Sequence, residues 1–249
     1  LLVRARLNLF GGWVGCSATL SPANYYVDLF GLDPDEVHRL ELPAFFPAER
    51  RRVFIASRVS TLFKDRASHA DRTASLILDC IRSAPGNVAV YFPSFRMLDD
   101  ITSRWDLPED QLLAQSPHLS EAERAAWFER LTTSPKPLVM AAVLGGIFAE
   151  GIDLPSGTLS MVLIAGPALP PVGLVRDLLR DCYEERYGAG FQYASLIPGM
   201  TKVIQAAGRL LRRADDCGVI VLIGRRFVWR DYAGLLPDWW NAERPEDPA

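Results

Sequence analysis

Lysine is scarce in this 249-residue sequence: only Lys64, Lys136 and Lys202 among its 27 basic residues. That bias follows from genome composition as readily as from phosphate recognition, and it decides nothing. Cys16, Cys80, Cys182 and Cys217 are far apart and form no Cys-x-x-Cys pair. They argue against a metal or iron–sulfur site within this chain and read as reduced thiols of an intracellular protein. His38, His69 and His118 are equally scattered, without metal-ligand spacing. No apolar run reaches the length of a membrane span and no signal peptide is visible, so the expectation is a cytoplasmic protein without a membrane partner. A Gly-x-x-x-x-Gly-Lys-Ser/Thr loop is missing, and with it the phosphate cradle and its lysine. No acidic magnesium box follows a strand, because Asp33-Pro-Asp-Glu36 sits in a loop after Gly31. Net charge is −3, which gives no overall pull toward nucleic acid but leaves room for a local basic groove.

What is present is a core-forming chain, 49% hydrophobic and 23% charged, enough for one large or two small domains. Trp13–Leu20 reads as a buried strand with a polar tip, feeding a helix over Pro22–Phe30 that Ser21 caps and Gly31 stops. Val37–Leu42 and Val53–Ser57 are short strand candidates. Asp71–Ser83 has helical spacing, and Val88–Phe92 is a strand leading through Ser94 into another helix. Gln111–Gln115 is a weaker strand. Ser120 and Glu123 form a capping box opening a helix through Leu131. Pro137–Val143, Leu159–Ala165 and Gly218–Ile223 are buried strands, Val172–Tyr187 is a charged helix, and the Arg225–Trp240 tail packs on the domain. Alternating strands and helices predict an α/β fold with a mostly parallel sheet, whose ligands sit at the carboxyl ends of strands.

The run Thr201–Arg213 carries the strongest local pattern. As one helix, it places Gln205, Arg209 and Arg212 within roughly 60° of one another, opposite a stripe of Val203, Ala207, Leu210 and Leu211. Gly208 in that polar row costs a helix about 1 kcal/mol relative to Ala, which suggests that something approaches the backbone there. Two fixed cations beside a gap suit a triphosphate, although an amphipathic surface helix with solvated arginines explains the helix taken alone. Gly145–Pro155 follows the best strand, with Glu150 and Asp153 bracketing Gly151. Its carboxylates would orient a metal-bound water, a ribose hydroxyl or an arginine, and a capped surface turn is about as good a reading. Ser94 and Phe95 offer a hydroxyl and helix-start amides to a phosphate, or simply a capped helix.

Together these pieces resemble the DinG/XPD-type superfamily 2 DNA helicases. Cys16-Ser-Ala-Thr-Leu20, Val90-Tyr-Phe-Pro-Ser94-Phe95, Gly145-Gly-Ile-Phe-Ala-Glu-Gly-Ile-Asp153 and Gln205-Ala-Ala-Gly-Arg209-Leu-Leu-Arg212 occur in the order of that family's motifs III to VI. Leu42–Pro47 and Ser60–Arg66 are similar to its second motor domain. The resemblance implies a RecA-like α/β domain at 21–249, preceded at 1–20 by the last strand of the first motor domain. It implies ATP and Mg²⁺ held mainly by that first RecA-like domain of the same protein, which would also carry any iron–sulfur cluster. Gln205, Arg209 and Arg212 would act on the phosphates, with Gly208 beside them. Glu150, Gly151 and Asp153 would couple the nucleotide to a DNA track, and Arg58, Ser94 and Phe95 would face single-stranded DNA. A larger nucleic-acid-processing complex is a further expected partner. Gly224-Arg225-Arg226 departs from the family's frequent Asp-Arg-Arg and puts in doubt an arginine-orienting acid there. The rival reading is a docking or nucleic-acid-binding module that keeps the motor fold without the chemistry.

Overall fold

The computed structural model describes residues 2–150 and 154–245, the side chains of Leu2 and Glu150 excepted. The chain divides into two compact units, Leu1–Ala44 with Val172–Ile197, and Phe45–Pro171 with Pro198–Ala249. The described helices are, in chain order, α1 (Leu2–Leu7), α2 (Ala23–Phe30), α3 (Arg66–Ser83), α4 (Phe95–Thr102), α5 (Glu121–Thr133), α6 (Ile147–Glu150), α7 (Leu174–Tyr187), α8 (Ile197–Ala207) and α9 (Arg230–Ala233). The strands are β1 (Arg51–Ala56), β2 (Val88–Phe92), β3 (Leu112–Ala114), β4 (Val139–Val143), β5 (Met161–Ala165) and β6 (Gly218–Ile223).

The larger unit is a six-stranded sheet in the order β1-β6-β5-β2-β4-β3, every pairing parallel. Strands β2, β4 and β5 are buried at every residue, which is why they read as unbroken apolar runs rather than alternating ones. One face is closed by a core in which Ile77 of α3 and Met97, Leu98 and Ile101 of α4 meet Val90, Phe92, Ala141 and Leu163 of the sheet. Asn87 ties the turn before β2 to the sheet's entry, its amide donating to the Leu131 and Thr158 carbonyls at 2.8 and 3.0 Å. The tail packs as expected, with Phe227, Tyr232 and Trp240 buried.

In the smaller unit, Gly31 closes α2 in the left-handed conformation (φ 68°) that glycine adopts without strain. The Tyr187 hydroxyl donates to the Asp28 carbonyl at 2.9 Å and the Tyr193 hydroxyl to the Asp28 carboxylate. Tyr25 stacks edge-on to Tyr193 at 5.0 Å, and burial pushes its phenol up to about 12.

Several local expectations change. Trp13–Leu20 has no strand, is exposed up to Ala18 and pairs with no described strand; an apolar run alone cannot hold a strand without neighbours to bond. Val37–Leu42 likewise forms no strand, and Leu40 and Leu42 face solvent. Pro22 rather than Ser21 occupies the cap position of α2, with no side-chain cap. The helix expected through Arg213 stops at Ala207.

Candidate functional site

The carboxyl end of β4 turns at Gly145, whose φ of 74° belongs to the left-handed region. A Cβ there would lie 2.6 Å from the Lys202 Nζ, so this lysine of α8 lies directly across the turn. Sequence reasoning passed over Lys202; the paired glycines at 145 and 146 were the signal that something crosses close to the backbone. The next four residues form α6, and two of their carbonyls accept from side chains. The Tyr91 hydroxyl, wholly buried, donates to the Phe148 carbonyl at 3.1 Å. The Arg209 Nε donates to the Ala149 carbonyl at 3.0 Å. Burial pushes the Tyr91 phenol up, opposed by the positive charge of Arg209 and Arg212.

The arginines reach this place from a loop, not from a helix. Gly208 still donates to the Ile204 carbonyl at 2.9 Å, but Arg209 and Leu210 turn tighter, donating to Ala206 at 3.2 Å and Ala207 at 3.1 Å. Regular structure then ends until β6. The wheel that aligned Gln205, Arg209 and Arg212 therefore holds for Gln205 alone, which is exposed on α8. Val203, Ala207, Leu210 and Leu211 are all buried, as the apolar stripe predicted. Beyond the helix a carboxylate takes over: Asp216 accepts the backbone N–H groups of Arg212 and Arg213 at 2.7 and 2.8 Å and the hydroxyl of Ser156. Burial would raise the Asp216 carboxyl, yet the Ser156 hydroxyl and the two backbone N–H groups hold it below the usual range.

Gly151 and Asp153 lie outside the described residues, as does the side chain of Glu150. Ser94 caps α4, its Oγ accepting the Met97 N–H at 3.3 Å, and Phe95 packs partly into the core. Both stand at the end of β2, beside the β4 turn, because Leu144 N–H donates to the Phe92 carbonyl at 2.8 Å. Arg58 follows β1, three strands away from β2 in the sheet, or roughly 14 Å at the usual strand spacing. It lies at the same carboxyl end of the sheet as Ser94. Gly224, in place of the family's acid, has a φ of 132°, and a Cβ there would lie 2.7 Å from the Thr61 Oγ1. Thr61 thus fills the space an aspartate would need. Arg226 beside it is buried, donating weakly to the Thr61 carbonyl at 3.4 Å.

Residues 77–243 match the family of helicase C-terminal domains. The chain belongs to that family. This helicase C-terminal domain is 27% identical to the ATP-dependent DNA helicase YoaA of Escherichia coli, over 96% of this chain and 37% of that protein. It is 23% identical to the XPD subunit of the general transcription and DNA repair factor IIH of Dictyostelium discoideum, over 90% of this chain and 31% of that protein. Over a shorter stretch, 42% of this chain, it is 35% identical to the ATP-dependent DNA helicase DinG of Photobacterium profundum. Among solved structures an XPD helicase superposes over 92% of this chain and 41% of its own, with a TM-score of 0.71 and 24% identity. The α/β sheet is thus the RecA-like architecture expected, and the chain spans 37% and 31% of the length of the YoaA and XPD relatives and 15% of that of DinG.

Proposed function

We propose that this domain is the second motor half of a DinG-like, ATP-dependent DNA helicase. In this reading Gln205, Arg209 and Arg212 reach the phosphates of ATP bound with Mg²⁺ on the first RecA-like domain of the same protein. Turnover then drives translocation along single-stranded DNA and separation of the duplex. The observation that carries the reading is the meeting of the arginine loop with the β4 turn. Arg209 is fixed to the Ala149 carbonyl in the run that contains Glu150, Gly151 and Asp153, so movement of one loop is felt by the other. The guanidinium pair fits a polyphosphate, since planar forks meet two oxygens at once. Magnesium, when bound, neutralises charge developing on those oxygens. Its ligands belong to the first domain in this reading; among the described residues no three acidic, His or Cys side chains gather into a metal site.

Two further features support it. Of the sixteen large hydrophobic residues exposed among the described residues, thirteen lie in the smaller unit, the composition of a surface that another part of the polypeptide covers. Arg58, Ser94 and Phe95 stand at strand ends along one sheet edge, as a groove tracking a single strand requires.

The test is Arg209→Lys and Arg212→Lys in the full-length protein. ATP turnover stimulated by single-stranded DNA falls by about 10³–10⁵, the scale of a lost arginine finger, while KM for ATP and the melting temperature change little. Retained turnover in both variants, or hydrolysis by the isolated 249-residue chain at the full-length rate, overturns the reading.

A further inference from the structure

The arginine pair stands on ten residues of irregular chain between Ala207 and Gly218. A helix fixes side-chain direction through its own hydrogen bonds; a loop has no such ladder and must be held by other groups. Besides the bond from Arg209 to Ala149, contacts made by Asp216, Asp215 and Ser156 help to hold this one. The Asp216 Oδ2 receives the N–H of Arg212 and of Arg213, folding the chain back on itself as a capping carboxylate does at a helix start. The Arg50 Nη1 donates to the Asp215 carbonyl at 2.7 Å. The other Asp216 oxygen receives the Ser156 hydroxyl, and Ser156 lies three residues beyond the Gly145–Asp153 run. Asp216 is 7% exposed, so its own bonds are partly shielded from competing water, whereas the one from Arg50 to Asp215 is exposed.

We infer that Asp216 is a positioning residue for the motor chemistry, clamping the backbone of Arg212 and tying it through Ser156 to the segment that follows the β4 turn. The clamp rests on the function proposed above, because it matters only if Arg212 acts on phosphate. It also gives the two loops a second link beside the bond from Arg209 to Ala149. That first link fixes a side chain, whereas this one fixes a main chain. With both in place, Arg209 is bonded to the α6 run and the Arg212 main chain to Ser156 by way of Asp216. The carboxylate is suited to the task because one oxygen can accept two N–H groups while the other takes the hydroxyl. Asparagine retains that geometry: its carbonyl oxygen replaces Oδ2, and its amide donates to Ser156, whose hydroxyl can turn to accept. Alanine leaves two backbone N–H groups unanswered.

The experiment measures DNA-stimulated ATP turnover in the full-length protein for Asp216→Ala, Asp216→Asn, Arg212→Ala and the Asp216→Ala/Arg212→Ala double variant, per mole of folded protein. Misplacing a catalytic group by about 1 Å costs up to about 10²-fold, so Asp216→Ala should lower kcat by about 10- to 100-fold with KM for ATP held within about threefold. Asp216→Asn should stay within about threefold of the parent. In the Arg212→Ala background, removing Asp216 should add less than about threefold, because groups that act as a unit are not additive. A purely structural Asp216 gives a different pattern: a lower melting temperature, unchanged kcat in the folded fraction, and additive losses in the double variant. That pattern overturns the inference. Full turnover by Arg212→Ala overturns instead the proposed function on which it rests, so the two failures are told apart.

Discussion

A methyl group placed on Gly208 would meet only the carbonyl oxygens of Gln205 and Ile204, each at 3.4 Å, an ordinary van der Waals contact. Nothing among the described residues therefore excludes alanine there, and alanine leaves the unfolded chain less freedom to lose. Gly145 differs on both counts, with its positive φ and Lys202 across the turn. The two glycines should separate in experiment. Gly145→Ala lowers stability by about 1–2 kcal/mol, the cost of a left-handed conformation in an L-residue, before any effect on activity. Gly208→Ala leaves the melting temperature unchanged or slightly higher, and lowers ATP turnover because a ligand comes close to that backbone. Full turnover in Gly208→Ala would remove the ligand and leave an ordinary helix end. Gly208 was readable in the sequence as a residue out of place. Asp216 was not, because its partners are two backbone N–H groups and a serine sixty residues earlier, none of which any periodicity records.

At the scale of elements, burial and secondary structure came apart where the sequence misled. The apolar spacing through Val203, Ala207, Leu210 and Leu211 continues past the end of α8, where the loop presses Leu210 against the start of β6. A Cβ on Gly218 would lie 2.7 Å from Leu210 Cδ1. Helical periodicity there reports burial, not a helix. Strands β2, β4, β5 and β6 were legible because a parallel sheet covered on both faces leaves runs of apolar residues, while Trp13–Leu20, richer in small and hydroxyl residues, pairs with no described strand. The start of α5 was legible too: the Ser120 Oγ accepts the Glu123 N–H at 3.3 Å, and the Glu123 carboxylate accepts the Ser120 N–H at 2.7 Å. Only Leu131 of α5 is buried, so its ends matter more than its packing. Ser120→Ala should cost about 1 kcal/mol, seen as a melting temperature lower by a few degrees. The Ser120 hydroxyl and N–H hold the Glu123 carboxyl below its ordinary range. A carboxyl lowered by folding stabilises above its unfolded pKa and loses that contribution as pH falls through the folded one. Acid should therefore narrow the difference between Ser120→Ala and the parent, and a constant gap down to pH 2 would exclude the box.

For the whole molecule, the sheet edge carries the nucleic-acid prediction. Binding of single-stranded DNA by the full-length protein should weaken linearly on a log–log plot as salt rises, since phosphate contacts release counterions. Arg58→Ala should reduce the magnitude of that slope by about 1, whatever the DNA sequence. An unchanged slope would take Arg58 off the track. Net charge gave no hint of such a surface, because −3 for the chain says nothing about where its arginines stand.

The pairing of β1 with β6 bears on the protein's birth rather than its work. Arg51 lies opposite Gly218 and Ala56 opposite Ile223, so the partner of this strand is made 167 residues later. At about 5–20 residues per second, β1 leaves the ribosome roughly 8–33 s before β6 exists to receive it. For that interval its backbone groups have no native ladder, and the strand carries Val53, Phe54 and Ile55. Its first two residues are Arg51 and Arg52, with Arg50 just before them, charges of the kind that keep an open strand edge from pairing with a stranger. The same three arginines that later meet the Asp215 carbonyl, Trp239 and Glu243 can thus guard the nascent chain before those partners are synthesised.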